Sequence, residues 1–137
     1  MGRQGVKITA DTNVLVRALT GDDARQSKAA RNALVKADVI AVTTPALCEL
    51  VWVLSQGYKI QPADIAAAIR GVINSANVVV NRPAAEAGLA LLEAGGDFAD
   101  GAIAFEGGRL GAETFVSFDK KAVKLLEGCG EAARLLT

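Results

Sequence analysis

Four short runs rich in β-branched residues, "VKITA" (Val6 to Ala10), "VIAVT" (Val39 to Thr43), "NVVV" (Asn77 to Val80) and "TFVSF" (Thr114 to Phe118), are separated by longer stretches whose apolar residues recur at helical spacing. A strand that leads through a helix to the next strand of the same sheet runs parallel to it, and such a sheet needs helices on both faces. The expected fold class is therefore α/β, a three-layer α/β/α arrangement around a central parallel sheet of four to five strands. Functional sites in sheets of this kind form beyond the C-terminal ends of the strands.

The punctuation between the runs agrees with this reading. Asp11-Thr12-Asn13 ends the first strand and opens a short helix through Leu19, which "TGDD" breaks. Asp22 or Asp23 can cap a second helix with Ala29, Ala30, Ala33, Leu34 and Ala37 as its apolar stripe, leaving Arg25, Lys28, Arg31 and Lys36 to water. Pro45 and Pro62 sit near helix starts, and Gly57 ends the helix that begins at Ala46. Ile65, Ala68, Ile69, Val72 and Ile73 share one helix face. A further helix from Pro83 to about Glu93 stops at Gly95-Gly96, and Phe98, Ala102 and Phe105 form the face of the next, to about Arg109. Asp119 opens a last helix through Leu126, after which "EAARLLT" supplies a final short strand or frays.

The chain has 137 residues, about the size of one ordinary domain, so a single domain over 1–137 is expected. With 51% hydrophobic and 22% charged residues, disorder is excluded. Fifteen basic and fifteen acidic residues cancel, so no global field attracts or repels nucleic acid. Four Phe, one Trp and one Tyr are too few for an extended base-stacking platform. Cys48 and Cys129 lack metal-like spacing and suit reduced thiols, no apolar run is long enough to span a bilayer, and the N-terminus carries no continuous apolar leader segment. A cytoplasmic setting away from membranes is expected. The absence of histidine removes the usual general base, the Ser-His-Asp triad and the commonest zinc ligand together.

Carboxylates remain. Asp11 follows the first strand, Asp119 the fourth, and Glu49 lies one turn into the helix after the second. Asp97 and Asp100 open the helix that leads into the fourth strand and share neighbouring positions of one face. Helix capping accounts for Asp97 and Asp119 by itself, and turn chemistry for Asp11. Glu49 does not fit so easily: Pro45 to Leu54 contains no other charge, a helix apolar all round is expected to be buried, and a buried carboxylate without a partner costs several kcal/mol. Four acids within ~5 Å repel by about 3 kcal/mol per pair at an effective dielectric of ~20, so folding alone would not favour the cluster. A bound cation resolves both costs, and hard oxygen donors suit Mg²⁺ or Mn²⁺.

In "ADTNVLVRALTGDD", "TTPALCELVWVL", "AGGDFADGAIA" and "ETFVSFDKKAVKLL", taken in this order from Ile8 to about Leu126, the chain resembles the PIN-domain ribonucleases, specifically the VapC toxins of toxin–antitoxin pairs. The resemblance implies a PIN-like fold and an acidic quartet of Asp11, Glu49, Asp100 and Asp119, with Asp97 as an additional metal-binding acid. It also implies supporting polar residues at Thr12, Asn13 and Ser117, with Arg17, Lys120 and Lys121 as candidate RNA-phosphate contacts. Gly101 departs from the family's usual Ala or other helix former, at an expected cost of up to ~1 kcal/mol in helix propensity and without loss of a ligand. The implied activity is Mg²⁺- or Mn²⁺-dependent hydrolysis of RNA phosphodiesters. The implied partners are a VapB-type antitoxin that fills the acidic site and a second copy in a homodimer. The rival readings are a receiver-like phosphoacceptor domain and a catalytically silent PIN binding module; "TADTN" supplies only one of the paired acids that a receiver needs.

Overall fold

The computed structural model describes residues 5–137. Contacts gather into two compact units, one ending at Val80 and one running Asn81–Thr137.

The first unit contains β1 (Lys7–Thr9), α1 (Thr12–Thr20), α2 (Ala24–Lys36), β2 (Val39–Ala41), α3 (Thr44–Trp52), α4 (Pro62–Ile73) and β3 (Val78–Val79). Its strands lie in the order β1-β2-β3, all parallel, with Ile8 opposite Ile40 and Ile40 opposite Val78. Helix starts follow local chemistry. Asp23 accepts from the Gln26 N–H at 3.0 Å, and the Thr43 hydroxyl accepts from the Ala46 N–H at 3.3 Å ahead of Pro45. Gly21, at φ +70°, turns the chain out of α1 in a conformation that favours glycine. One π-helical turn, Val53–Gly57, extends α3. Ile40, Val42, Leu47, Leu50, Leu54, Ile65, Ile69 and Ile73 are all buried.

The second unit contains α5 (Arg82–Glu93), α6 (Phe98–Arg109), β4 (Phe115–Ser117), α7 (Lys120–Gly128) and β5 (Ala133–Leu135). The C-terminal tail therefore forms a strand, pairing parallel to β4 with Phe115 opposite Ala133 and Ser117 opposite Leu135. Helices α5 and α6 pack closely enough that a Cβ on Gly101 would lie 2.4 Å from the Ala87 carbonyl oxygen, and one on Gly88 would lie 2.7 Å from the Phe98 ring. Gly101 is thus a packing requirement rather than a simple loss of helix propensity, and it fixes how the acidic start of α6 sits on α5.

The fold is mixed α/β with parallel strands, as the alternation requires; of the four to five strands expected in one sheet, three pair in one sheet and two with each other among the described residues. The strands are short because residues at the ends of the β-branched runs serve the next helix: Thr43 caps α3, and Phe118 leads directly into the Asp119 cap of α7. A second correction concerns α2. Of its expected apolar stripe, Ala30 and Ala37 are buried and Leu34 half-buried, while Ala29 and Ala33 are exposed. Alanine adds little apolar area, so an alanine stripe marks a face weakly.

Candidate active site

In the first unit, Asp11 stands at the N-cap position of α1 with an extended backbone (φ −69°, ψ 155°), yet its carboxylate makes no capping hydrogen bond. Its backbone carbonyl takes the Val14 N–H at 3.0 Å, which leaves the exposed side chain uncommitted to the helix. The turn reading of Asp11 therefore describes its backbone and not its carboxylate. Next to it, buried Thr12 donates its hydroxyl hydrogen to Glu49 Oε1 at 3.4 Å, joining the exit of β1 to the helix after β2.

Glu49 itself is exposed, which overturns the expectation that it is buried. Helix α3 is one-sided despite its composition: Ala46, Leu47, Leu50 and Val51 face the core, whereas Pro45, Glu49 and Trp52 line the opposite face. The missing second charge is replaced by an exposed Trp, so the charge pattern alone could not reveal the polar side. No desolvation cost then argues for a cation at Glu49.

Exposed Asn13 and half-buried Arg17 line a hollow of about 520 Å³ with Gln26, Ala29, Ala30 and Ala33 of α2. Arg17 pairs with Asp22 at 2.9 Å, and the same carboxylate accepts from the Thr20 hydroxyl at 3.0 Å and the Tyr58 hydroxyl at 2.6 Å. The Tyr58 hydrogen bond, then those of Thr20 and Arg17, hold the Asp22 carboxyl below its ordinary value. Arg17 is thus already engaged within the fold, a role for "TGDD" that sequence reading limited to helix punctuation.

In the second unit, Asp97 caps α6 by accepting from the Ala99 N–H at 3.2 Å. Asp100, in the first turn of α6, is half-buried. Burial raises its carboxyl above the usual carboxylate range, and the negative charges of Asp97 and Asp119 raise it further. Asp119 caps α7 through Oδ1, taking the Lys121 and Ala122 N–H groups at 3.0 and 3.1 Å. The Ser117 hydroxyl accepts from the Asp119 N–H at 2.9 Å and fixes the exit from β4. Each of these caps uses one carboxylate oxygen, so capping and ligation are compatible. Lys120 and Lys121 are exposed at the start of α7.

The structure thus couples Asp97, Asp100 and Asp119 electrostatically, and links Asp11's neighbour Thr12 to Glu49. Within neither unit do three His, Cys, Asp or Glu side chains among the described residues come close enough to hold one ion.

Residues 8–126 match the PIN domain family. The chain belongs to that family. No individual curated protein matches it. PIN domains are typically metal-dependent nucleases, which makes this chain a nuclease-type hydrolase at the level of the family and nucleic acid its class of partner. They generally use divalent metal ions. The donor chemistry of this PIN domain fits such an ion: the chain has no His, the Asp11 carboxylate is uncommitted, and Asp100 sits among unbalanced negative charge that a hard cation would offset. No helix among the described residues is long and apolar enough to cross a membrane.

Proposed function

We propose that this PIN domain is a metal-dependent ribonuclease and the toxin half of a VapBC-type pair, with residues 1–137 acting as one domain in the cytoplasm. The observation that supports the reading is the half-buried Asp100 in the first turn of α6, whose carboxyl is raised by burial and then by the negative charges of Asp97 and Asp119, while no basic side chain among the described residues offsets it.

Asp11, Glu49 and Asp100 would hold Mg²⁺ or Mn²⁺; Asp119 completes the acidic set, and Asp97 is a further acid beside it. When bound, such an ion lowers the pKa of water and offsets charge on phosphate oxygens. The chain's own residues provide order. Thr12 fixes one Glu49 oxygen, Ser117 holds the backbone of Asp119, and the α6 cap at Asp97 positions Asp100 one turn further on. Lys120 and Lys121 offer positive charge to phosphates beside Asp119. Arg17 and Asn13 act from the first unit, with Arg17 oriented by Asp22.

A VapB-type antitoxin with a basic side chain would neutralise the acids, and the family resemblance supports a homodimer. Brief expression of the chain without a partner, followed by mapping of RNA 5′ ends, is expected to reveal new cuts and slowed growth that Asp100→Asn abolishes. Equal growth arrest by both forms would refute the nuclease explanation of toxicity. A silent binding module would give no new ends at all.

A further inference from the structure

The chain's aromatic residues are four Phe, one Trp and one Tyr. Phe98 is buried, Tyr58, Phe105 and Phe115 are half-buried, and only Trp52 and Phe118 are exposed, at 66% and 78%. Both exposed rings adjoin residues of the acidic set. Trp52 lies three positions after Glu49 on the exposed face of α3, which brings the two side chains onto neighbouring positions. Phe118 immediately precedes Asp119 and is followed within three residues by exposed Lys120 and Lys121.

A large aromatic ring left in water forgoes the stabilisation that burial provides. Scattered exposed residues need no special reason, but here the whole exposed aromatic set falls beside proposed catalytic acids. Phe118 also comes with the complementary charge: an apolar ring for a base and two ammonium groups for the flanking phosphates. That combination is the chemistry of a single-stranded nucleic acid site, in which stacking is tolerant of base identity and cations follow the backbone.

We infer that Trp52 and Phe118 are substrate-binding residues, each seating an unpaired RNA base beside the acid next to it, Glu49 for Trp52 and Asp119 for Phe118. The inference rests on the ribonuclease reading and deepens it. Bases inside a duplex are stacked on one another and present no free face, so the two rings select unpaired RNA. Neither residue touches the reacting phosphate; their contribution is to binding and register.

Trp52 is the only tryptophan, so emission excited at the red edge of the tryptophan band, where the single tyrosine does not absorb, reports on this position alone. The full-length Asp100→Asn chain in Mg²⁺ is titrated with a short single-stranded oligoadenylate and with the same strand annealed to its complement. Saturable quenching by the single strand and none by the duplex is expected. In the wild-type background, Trp52→Leu and Phe118→Leu are each expected to raise KM about 5- to 150-fold, the range that one base–aromatic stack contributes, with kcat held. Trp52→Phe and Phe118→Tyr keep a ring and are expected to restore most of the loss. Because both positions are exposed, thermal melts of all four variants should match the parent.

Unchanged KM in both leucine variants, while the wild type cleaves RNA, overturns the inference and leaves the ribonuclease reading standing. Emission that shifts with protein concentration and is indifferent to RNA also overturns it, by assigning the ring to a second copy of the chain. Strand cleavage by the wild type is the separate readout of the ribonuclease reading; its absence with quenching intact overturns that reading alone.

Discussion

Replacing Gly101 by alanine separates packing from helix propensity, because the two effects have opposite signs. In a helix interior Gly→Ala gains ~1 kcal/mol from propensity alone. At Gly101 the new Cβ would meet the Ala87 carbonyl oxygen at 2.4 Å, the Ala87 carbonyl carbon at 3.0 Å and Leu91 Cβ at 3.0 Å. The first distance is about 1 Å short of ordinary contact, and the obstructing atom is backbone within α5. Relief requires α6 to move away from α5 as a body, while the buried Phe98 ring already fills the space over Gly88. Overpacking of this kind costs ~1–3 kcal/mol, occasionally more, and a backbone obstruction belongs at the upper end. The net expectation is a loss of about 1–2 kcal/mol, which for a domain of this size lowers Tm by roughly 3–6 °C. Gly107, in the same helix, has nothing within 4 Å of the corresponding Cβ, so Gly107→Ala should raise Tm by roughly 2–3 °C. Thermal and urea melts of the two variants side by side are the assay. Activity measured well below Tm should fall on the order of 100-fold in Gly101→Ala, since Asp100 moves with α6. A Gly101→Ala chain that melts at or above the parent, as Gly107→Ala should, would refute the packing argument.

The acids make further distinct predictions. Asp100 has a raised carboxyl, so its ionised form is disfavoured in the fold. In EDTA that penalty is absent below the ordinary carboxylate value, grows between the ordinary and the raised folded value, and is complete above the folded value; Asp100→Asn should therefore stabilise the metal-free chain above that range and flatten its pH–stability curve within it. Asp11→Asn should leave Tm unchanged because the carboxylate caps nothing, whereas Asp119→Ala should lose ~0.5–2 kcal/mol with its two N–H bonds; urea midpoints distinguish them. Tyr58→Phe should lower Tm slightly at neutral pH. Its effect should shrink as pH falls through the depressed folded value of Asp22, because stability from a lowered carboxyl is present above the unfolded value and lost on protonation.

Much of the fold was legible because its signals are periodic. The β-branched runs contain all of β1 to β4, and α6 spans Phe98–Arg109 as the Phe98, Ala102, Phe105 spacing indicates. The helix starts at Asp11, Asp97 and Asp119 were legible too, since turn and cap residues mark themselves in sequence. What escaped was set by contacts distant in the chain. The exposure of Glu49 depends on which face of an almost uniformly apolar α3 meets the core, and composition does not specify that. Gly101 looked like a propensity loss because the atom it accommodates, the Ala87 carbonyl oxygen, lies on another helix. The Arg17–Asp22–Tyr58 cluster joins residues 36 positions apart in the case of Tyr58 and Asp22, beyond any local pattern. The division into a three-stranded sheet and a pair depends on hydrogen-bond registers that two- and three-residue strands hardly encode.

If the acids of this PIN domain carry metal-dependent RNA hydrolysis, cleavage of a short single-stranded RNA by the purified chain beside its Asp100→Asn variant shows it. Mg²⁺ or Mn²⁺ should support cleavage by the wild type, EDTA should abolish it, and Asp100→Asn should be inactive although it folds at least as stably. Cleavage by Asp100→Asn at the wild-type rate, or cleavage undiminished by EDTA, would show that neither this acid nor a bound metal carries the reaction.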